Sequence, residues 1–199
     1  PTPTHDDPLF AAGLVQYVGQ AIFAVVATTR HAARAAIKLA EITYDEQPAI
    51  ITLDEALAAN SLLEPPYVMQ RGDVDTTLAA APHQLTGSID IGGQEHFYLE
   101  TQGALAVPGE DDDVTIHSSS QHPTEIQHKV AEVLAIAAHA VTVEMRRMGG
   151  GFGGKESQGN ALAVACAVAA RATGRACKMR YDRDDDMVIT GKRHDFRID

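Results

Sequence analysis

The segment RMGGGFGGKE, residues 147–156, decides how this chain is interpreted. Its glycines surround a single phenylalanine, and they lie between an apolar run typical of a strand (140–145) and a run typical of a helix (155–173). Glycine lets the backbone pass where side chains cannot, and it leaves amide N–H groups free to point at a ligand. The segment is therefore predicted to be a loop that binds a ligand closely.

Hydrophobic periodicity on both sides of this loop predicts alternating strands and helices. The predicted strands are 13–18, 21–27, 41–44, 84–91, 97–107, 114–118, 140–145, 177–181 and 192–198, and the predicted helices are 30–40, 53–59, 124–138 and 155–173. Thr52 and Glu55 are spaced as a capping box, and Gly174 is placed to end the last helix. Weak patterning over 62–82 predicts a linker, and the acidic run 184–186 predicts a turn. We expect an α+β chain with two domains, residues 1–80 and 81–199.

Composition restricts the classes of partner. The net charge of −11 argues against nucleic acid and anionic membranes, because phosphate binding needs clustered Lys and Arg. The longest apolar stretch, 161–170, is too short to cross a bilayer, and residues 1–8 do not have the pattern of a secretory signal. Cys166 and Cys177 are not spaced as metal ligands, which favours a reducing compartment such as the cytosol.

Two nucleotide-binding patterns also occur in the loop. Gly149, Gly151 and Gly154 satisfy the dinucleotide pattern G-x-G-x-x-G, but no acidic residue follows where a ribose ligand is expected. Lys155 completes part of a phosphate-binding loop, but Glu156 replaces the Ser or Thr that would hold Mg²⁺. A turn that only packs a helix against a strand is a third interpretation, against which the single phenylalanine argues.

Four motifs in order make this chain similar to the family of molybdenum hydroxylases that contains xanthine dehydrogenases and aldehyde oxidases. They are GGQEHFYLET (92–101), SSSQ (118–121), RMGGGFGGKE (147–156) and DRDDDM (182–187). Upstream, residues 17–27 and 42–46 resemble the family's small α/β hammerhead domain. The resemblance covers nearly the whole chain and looks closest to the molybdenum-binding subunit of bacterial xanthine dehydrogenases. It implies part of a hammerhead domain followed by the first part of the molybdopterin-binding domain.

The resemblance implies a cofactor and a reaction. The family binds molybdenum through the dithiolene of a molybdopterin, not through protein ligands, and hydroxylates an electron-poor carbon with oxygen from water. Gln121 matches the family glutamine that hydrogen-bonds an oxygen ligand of the metal, and Gly151, Phe152 and Gly153 match the loop that lies against the metal centre. Glu156 matches the position that contacts the purine in xanthine dehydrogenases, which favours hypoxanthine and xanthine as substrates. Its competing interpretation is an acidic residue in the first turn of a helix.

The resemblance also implies partners. In the family, 2Fe–2S clusters and FAD carry the electrons away, and neither is expected on this chain. The family's glutamate base, an arginine and a second stacking phenylalanine match no residue here. We therefore expect a fragment that works with the remainder of the molybdenum subunit and an iron–sulfur/FAD subunit and is inactive alone. An oligomer is expected for a separate reason, because a sheet cut near 192–198 would leave unpaired strand edges. An aldehyde oxidase or another N-heterocycle hydroxylase, a catalytically silent fragment, and a nucleotide-binding or interaction module remain as alternatives.

Overall fold

The computed structural model describes residues 8–199, so most of the 1–8 segment examined for a secretory signal lies outside the described residues. The helices are α1 Arg30–Ile37, α2 Leu53–Ala58, α3 Val74–Ala80, α4 Pro123–Leu134, α5 Gly159–Thr173 and α6 Arg183–Ile189, with a 3₁₀ turn at Ala138–Ala140. The strands are β1 Ile89–Ile91, β2 Gly103–Pro108, β3 Val114–Ser118, β4 Val141–Glu144, β5 Cys177–Arg180 and β6 Phe196–Ile198. This mixture confirms the predicted α+β class. The predicted division at residue 80 stays a prediction.

The described residues form two compact units, each built from two separate stretches of chain. The first comprises the described residues up to Ala40 together with Glu95–Arg193, and the second comprises Glu41–Gln94 together with His194–Asp199. The predicted site residues all belong to the first unit.

A four-stranded sheet in the order β4-β3-β2-β5 forms the centre of the first unit. Strand β3 pairs in parallel with β4, whereas β2 runs antiparallel to both of its neighbours. Every second side chain of β2 and β3 is buried, among them Ala106 and Ile116. This alternation gives the sheet one face that packs into the core.

Helices α4 and α5 cover the buried face of the sheet. Pro123 begins α4 at a position where its missing N–H removes no helical hydrogen bond. Helix α5 is rich in alanine, and Gly174 ends it with a left-handed φ of 64°. The core contributed by these elements consists of Ala104, Ala106, Val114, Ile116, Ile126, Val130, Ala131, Val141, Leu162, Ala163, Val164, Cys166, Ala167 and Ala170. The core therefore lies directly beside the segment that joins β4 to α5.

Several predicted strands are absent or shorter than expected. Residues 13–18 and 21–27 form no strand in the structure, and the expected strand 84–91 is reduced to Ile89–Ile91. Extended chain becomes a strand only when a neighbour accepts its backbone hydrogen bonds. Among the described residues no ladder joins these two segments: Ala11 N, which precedes the first segment, donates to Ala21 O at 2.7 Å, and Gln20 N donates to Tyr17 O at 3.3 Å in a turn.

The acidic turn predicted at 184–186 is instead the first part of α6. Three consecutive aspartates follow Arg183 in the first turn of this helix, a position where carboxylates interact favourably with the helix dipole. Asp182, just before the helix, forms ion pairs with Arg30 and Arg34 of α1, and the hydrogen bond from Arg30 is the largest cause of its lowered pKa. The predicted linker 62–82 likewise contains a helix, α3, whose N-cap Asp73 accepts from Thr76 N at 3.1 Å.

The second unit is small and has no buried core among its described residues. Its two-stranded sheet pairs β1 with β6 in antiparallel register, with Ile89 opposite Ile198. The capping box predicted at α2 is confirmed, because the Thr52 hydroxyl accepts from Glu55 N and the Glu55 carboxylate accepts from Thr52 N. Across residues 8–199, no helix is both long enough and apolar enough to cross a membrane.

Candidate functional site

The glycine-rich segment is a loop between β4 and α5, as predicted. It turns back on itself at residues 151–154, where Gly154 N donates to Gly151 O at 2.8 Å. Phe152 lies inside this turn with a φ of 54°, and its side chain is 77% exposed. A left-handed φ is strained for a bulky residue, and strained residues of this kind cluster at functional sites. The loop therefore presents an aromatic ring to its surroundings at the expense of local strain.

Gln121 reaches the loop from the short segment that joins β3 to α4. Its side-chain oxygen Oε1 accepts from Gly153 N at 3.0 Å and from Lys155 N at 3.1 Å. The backbone N–H of Gln121 donates to the Lys155 carbonyl oxygen at 2.8 Å. Two backbone donors on one amide atom identify that atom as oxygen, so the NH₂ group lies on the other side of the amide.

Gly151 makes the close approach of Gln121 possible. A Cβ atom at position 151 would lie 2.5 Å from Gln121 Oε1 and 2.8 Å from its Cδ. Any larger residue at position 151 would push the glutamine away from Gly153 and Lys155. The structure thus brings together three of the predicted site residues, Gln121, Gly151 and Gly153.

Some hydrogen-bond donors of Gln121 and the loop have no acceptor among the described residues. Within residues 8–199, Gln121 Nε2 and the backbone N–H groups of Gly151 and Phe152 donate to no acceptor of the chain. The backbone N–H of Gly153, expected to face a ligand, is used by Gln121 instead. The open groups are neutral donors, which suit a ligand that carries oxygen acceptors.

The Glu156 side chain is bonded to no member of this cluster. Its side chain is exposed and has no hydrogen-bond or ion-pair partner among the described residues. Helix α5 begins only at Gly159, so Glu156 precedes the helix. The interpretation of Glu156 as an acidic residue of the first helical turn is therefore wrong. The helix that was predicted to begin at residue 155 begins four residues later, at Gly159.

An ion pair between the buried Lys155 and the partly exposed Glu100 was missed in the sequence. Lys155 is 0% exposed, and its Nζ lies 3.0 Å from Glu100 Oε2 and 2.8 Å from Ser119 Oγ. The same carboxylate oxygen accepts from Gly149 N at 2.7 Å and from the Ser119 hydroxyl at 2.5 Å. Partial burial acts to raise the pKa of Glu100, but the hydrogen bonds from Ser119, Gly149 and Lys155 outweigh it and lower that pKa.

The position of Lys155 bears on the nucleotide-binding interpretations. A phosphate-binding loop needs a lysine that reaches the bound phosphates and a helix that begins directly after it. Here Lys155 is buried against Glu100, and α5 begins four residues further on. Both observations speak against a phosphate-binding loop.

A second, buried network also holds the loop, through the carbonyl of Gly154. Asp186 is 1% exposed; its carboxylate accepts from Tyr98 Oη at 2.9 Å and from Gln102 N at 3.2 Å. Gln102 Nε2 in turn donates to Tyr98 Oη at 3.0 Å and to Gly154 O at 2.9 Å. Burial and the neighbouring Asp186 carboxylate raise the pKa of Tyr98. Tyr98 and Asp186 lie in two of the family motifs, but no role was predicted for either of them.

Comparison with protein families matches the chain in two parts. Residues 58–199 match the molybdopterin cofactor-binding domain, and residues 1–48 match the α/β hammerhead domain of aldehyde oxidase and xanthine dehydrogenase. These matches confirm both the predicted resemblance and the order of the two kinds of domain.

Curated relatives show the same similarity. The chain is 43% identical over 194 residues to a protein named xanthine dehydrogenase from Drosophila pseudoobscura pseudoobscura, which covers 96% of this chain and 14% of the relative. It is 43% identical over 197 residues to xanthine dehydrogenase from Blastobotrys adeninivorans, covering 98% and 14%. The chain thus spans about one seventh of the length of these relatives.

Solved structures share the fold. The crystal structure of quinoline 2-oxidoreductase from Pseudomonas putida 86 superposes with a TM-score of 0.82 at 26% identity, over 93% of this chain and 25% of that one. An aldehyde oxidoreductase from Desulfovibrio desulfuricans superposes with a TM-score of 0.79 at 23% identity, over 96% and 22%.

Proposed function

This chain belongs to the aldehyde oxidase and xanthine dehydrogenase family, and from that premise we propose that it supplies part of the molybdenum site of a xanthine dehydrogenase. The observation that carries the proposal is the amide of Gln121. Its oxygen is saturated by Gly153 N and Lys155 N, while its NH₂ donates to no atom of residues 8–199. An amide held in this way presents donors only, which is what an acceptor oxygen of a bound group requires.

The residues present fit a molybdenum–molybdopterin group. When bound, this group supplies the redox chemistry that hydroxylates an electron-poor carbon with oxygen from water. The chain's own part is positional: the Gln121 amide and the N–H groups of Gly151 and Phe152 offer neutral donors that add no charge at the site. Hydrogen bonds of this kind orient a bound group and tune its electronics without ligating the metal.

The substrate proposed is a purine, hypoxanthine or xanthine. Glu156 supports this choice, because its carboxyl is unpaired within the described residues and lies close in sequence to Phe152. A carboxyl group can bridge the ring N and N–H groups of a purine, and the exposed Phe152 ring offers a flat apolar surface. An aldehyde or another N-heterocycle as substrate remains the alternative.

Replacement of Glu156 by leucine separates these substrates. We expect kcat/KM for xanthine to fall by about 100-fold, because a misplaced ring no longer presents its reacting carbon correctly. Molybdenum content and thermal stability should stay as in the wild type. Glu110→Leu, which makes the same change at an exposed carboxylate on the turn between β2 and β3, serves as the control. An unchanged kcat/KM for xanthine would contradict the role given to Glu156.

The first test of the proposed function is the molybdenum content per chain. Elemental mass spectrometry on the gene product that carries this chain, purified gently from its source, should find molybdenum in near-stoichiometric amount. Denaturation of the protein should release a molybdopterin that mass spectrometry detects. Native protein without molybdenum, or with bound ATP or NAD in its place, would overturn the proposal in favour of a silent or nucleotide-binding protein.

The proposed partners follow from the same function. Electrons would leave through 2Fe–2S clusters and FAD carried outside this chain, and the family's base and second stacking phenylalanine would come from the remainder of the molybdenum subunit. The 199-residue chain alone is therefore proposed to be inactive and to work within an oligomer. We propose a cytosolic location, which the two free thiols Cys166 and Cys177 support.

A further inference from the structure

Both ends of the glycine-rich loop are tied to one side chain, that of Glu100. At the first end, Gly149 N donates to Glu100 Oε2 at 2.7 Å and Glu100 N donates to Gly149 O at 3.1 Å. At the other end, Lys155 Nζ lies 3.0 Å from the same carboxylate oxygen. Both ends of the loop are thus bonded to the same atom, Glu100 Oε2.

Lys155 links this anchor to Gln121. Its side chain binds Glu100, while its backbone N–H donates to Gln121 Oε1 at 3.1 Å and its carbonyl accepts from Gln121 N at 2.8 Å. The Ser120 hydroxyl also donates to the Lys155 carbonyl, at 3.2 Å. A shift of Lys155 therefore moves the loop and the glutamine together.

The buried ammonium makes this linkage stiff. Lys155 Nζ is fully enclosed by Glu100, Ser119 and the ring of Tyr98, whose centroid is 4.8 Å away. A buried charge that loses its partners is strongly unfavourable, so displacements of the loop that would separate Lys155 from Glu100 are suppressed. An apolar anchor of the same size would hold the loop without this directional restraint.

We propose that Glu100 and Lys155 are positioning residues, which set the place of the loop and the direction of the Gln121 amide toward the bound group. The identity of that group rests on the proposed function, whereas the restraint on the loop does not. Neither residue needs to touch the group or the substrate, since both act through Gly149 and Gln121.

The test compares two variants of the gene product that carries this chain. Lys155→Met leaves the Glu100 carboxylate without its cation, and the double variant Glu100→Gln/Lys155→Met removes both charges, so that no unpaired charge is left buried. Lys129→Met is the matched control, because Lys129 forms an ion pair with Glu132 on α4, at 3.2 Å. Limited trypsin cleavage after the exposed Arg146 and Arg147 reports on the loop, and cleavage after Arg175 reports on the fold as a whole.

We expect the double variant to be cut about tenfold faster after Arg146 and Arg147 than the wild type, as when an open form becomes tenfold more populated, with no change at Arg175. In the molybdenum-loaded protein, the electron paramagnetic resonance signal of Mo(V) should also change in the double variant and stay unchanged in Lys129→Met. Unchanged cleavage after Arg147, equal acceleration at Arg147 and Arg175, or an unchanged Mo(V) signal in the double variant would each overturn the proposal. Wild-type protein without molybdenum would refute the proposed function, and the cleavage comparison would still decide the role of the pair.

Discussion

Replacing Asp186 by alanine is expected to lower the free energy of unfolding by about 2–5 kcal/mol, because two buried donors lose their acceptor at a typical cost of about 1–3 kcal/mol each. The carboxylate is almost completely buried and accepts from Tyr98 Oη and Gln102 N. Its removal leaves both donors buried without an acceptor, and it takes away the counter-charge near Arg183, 3.8 Å from Asp186. The measurement is urea unfolding of the wild-type and variant gene products.

Asp185→Ala is the matched control for this prediction. Asp185 is the preceding residue on α6, but its carboxylate is exposed and lies 3.6 Å from Arg34. We expect it to change the free energy of unfolding by less than about 1 kcal/mol. Equal effects of the two substitutions would show that the buried network contributes little to stability.

Gln121→Glu is expected to lower kcat by about 100-fold while leaving the fold intact. Glutamate has the same shape, and its carboxylate can still accept from Gly153 N and Lys155 N. It loses the NH₂ donors and adds a negative charge where acceptor oxygens are proposed to lie. Steady-state kinetics with xanthine, together with the molybdenum content, measure the effect.

The control for Gln121→Glu is the same change at an exposed amide, Gln47→Glu. That variant should match the wild type in kcat, molybdenum content and melting temperature. Full activity of Gln121→Glu would contradict the role proposed for the amide donors. A loss of molybdenum together with the loss of kcat would place the effect in cofactor retention and not in turnover.

The elements that could be predicted from the sequence are those whose signals are local. The capping box at Thr52 and Glu55 and the helix end at Gly174 depend on neighbours within a few residues, and both are confirmed. Strands 13–18 and 21–27 were also predicted from a local pattern and are absent. The alternation of apolar residues along these two segments does not show whether another strand is available to pair with them.

Helices α6 and α3 were not predicted, although the sequence carries a local signal for the start of each. Three aspartates beginning at Asp184, followed by Met187, Val188 and Ile189, fit the acidic start and apolar continuation of a helix as well as they fit a turn. Asp73 before α3 is a similar N-cap signal within a segment predicted to be a linker.

The site was predicted in part, and the missing part is long-range. Gln121, Gly151 and Gly153 were expected at one place because the family resemblance placed them there, and the structure does bring them together; their roles stay predictions. Glu100 and Lys155 are 55 positions apart, and no spacing rule connects such residues. Only the fold shows that the lysine, first considered as a phosphate ligand, is buried and paired with a carboxylate.

The pairing of β1 with β6 constrains the order of events during synthesis. Ile89 leaves the ribosome roughly a hundred residues before its partner Ile198, which at ~5–20 residues per second is a delay of about 5–20 s. During this delay β1 has no partner strand, and it belongs to the second unit, which has no buried core among its described residues. The nascent chain therefore passes through a window in which chaperone binding competes with aggregation, and slower translation of residues 92–195 would lengthen it.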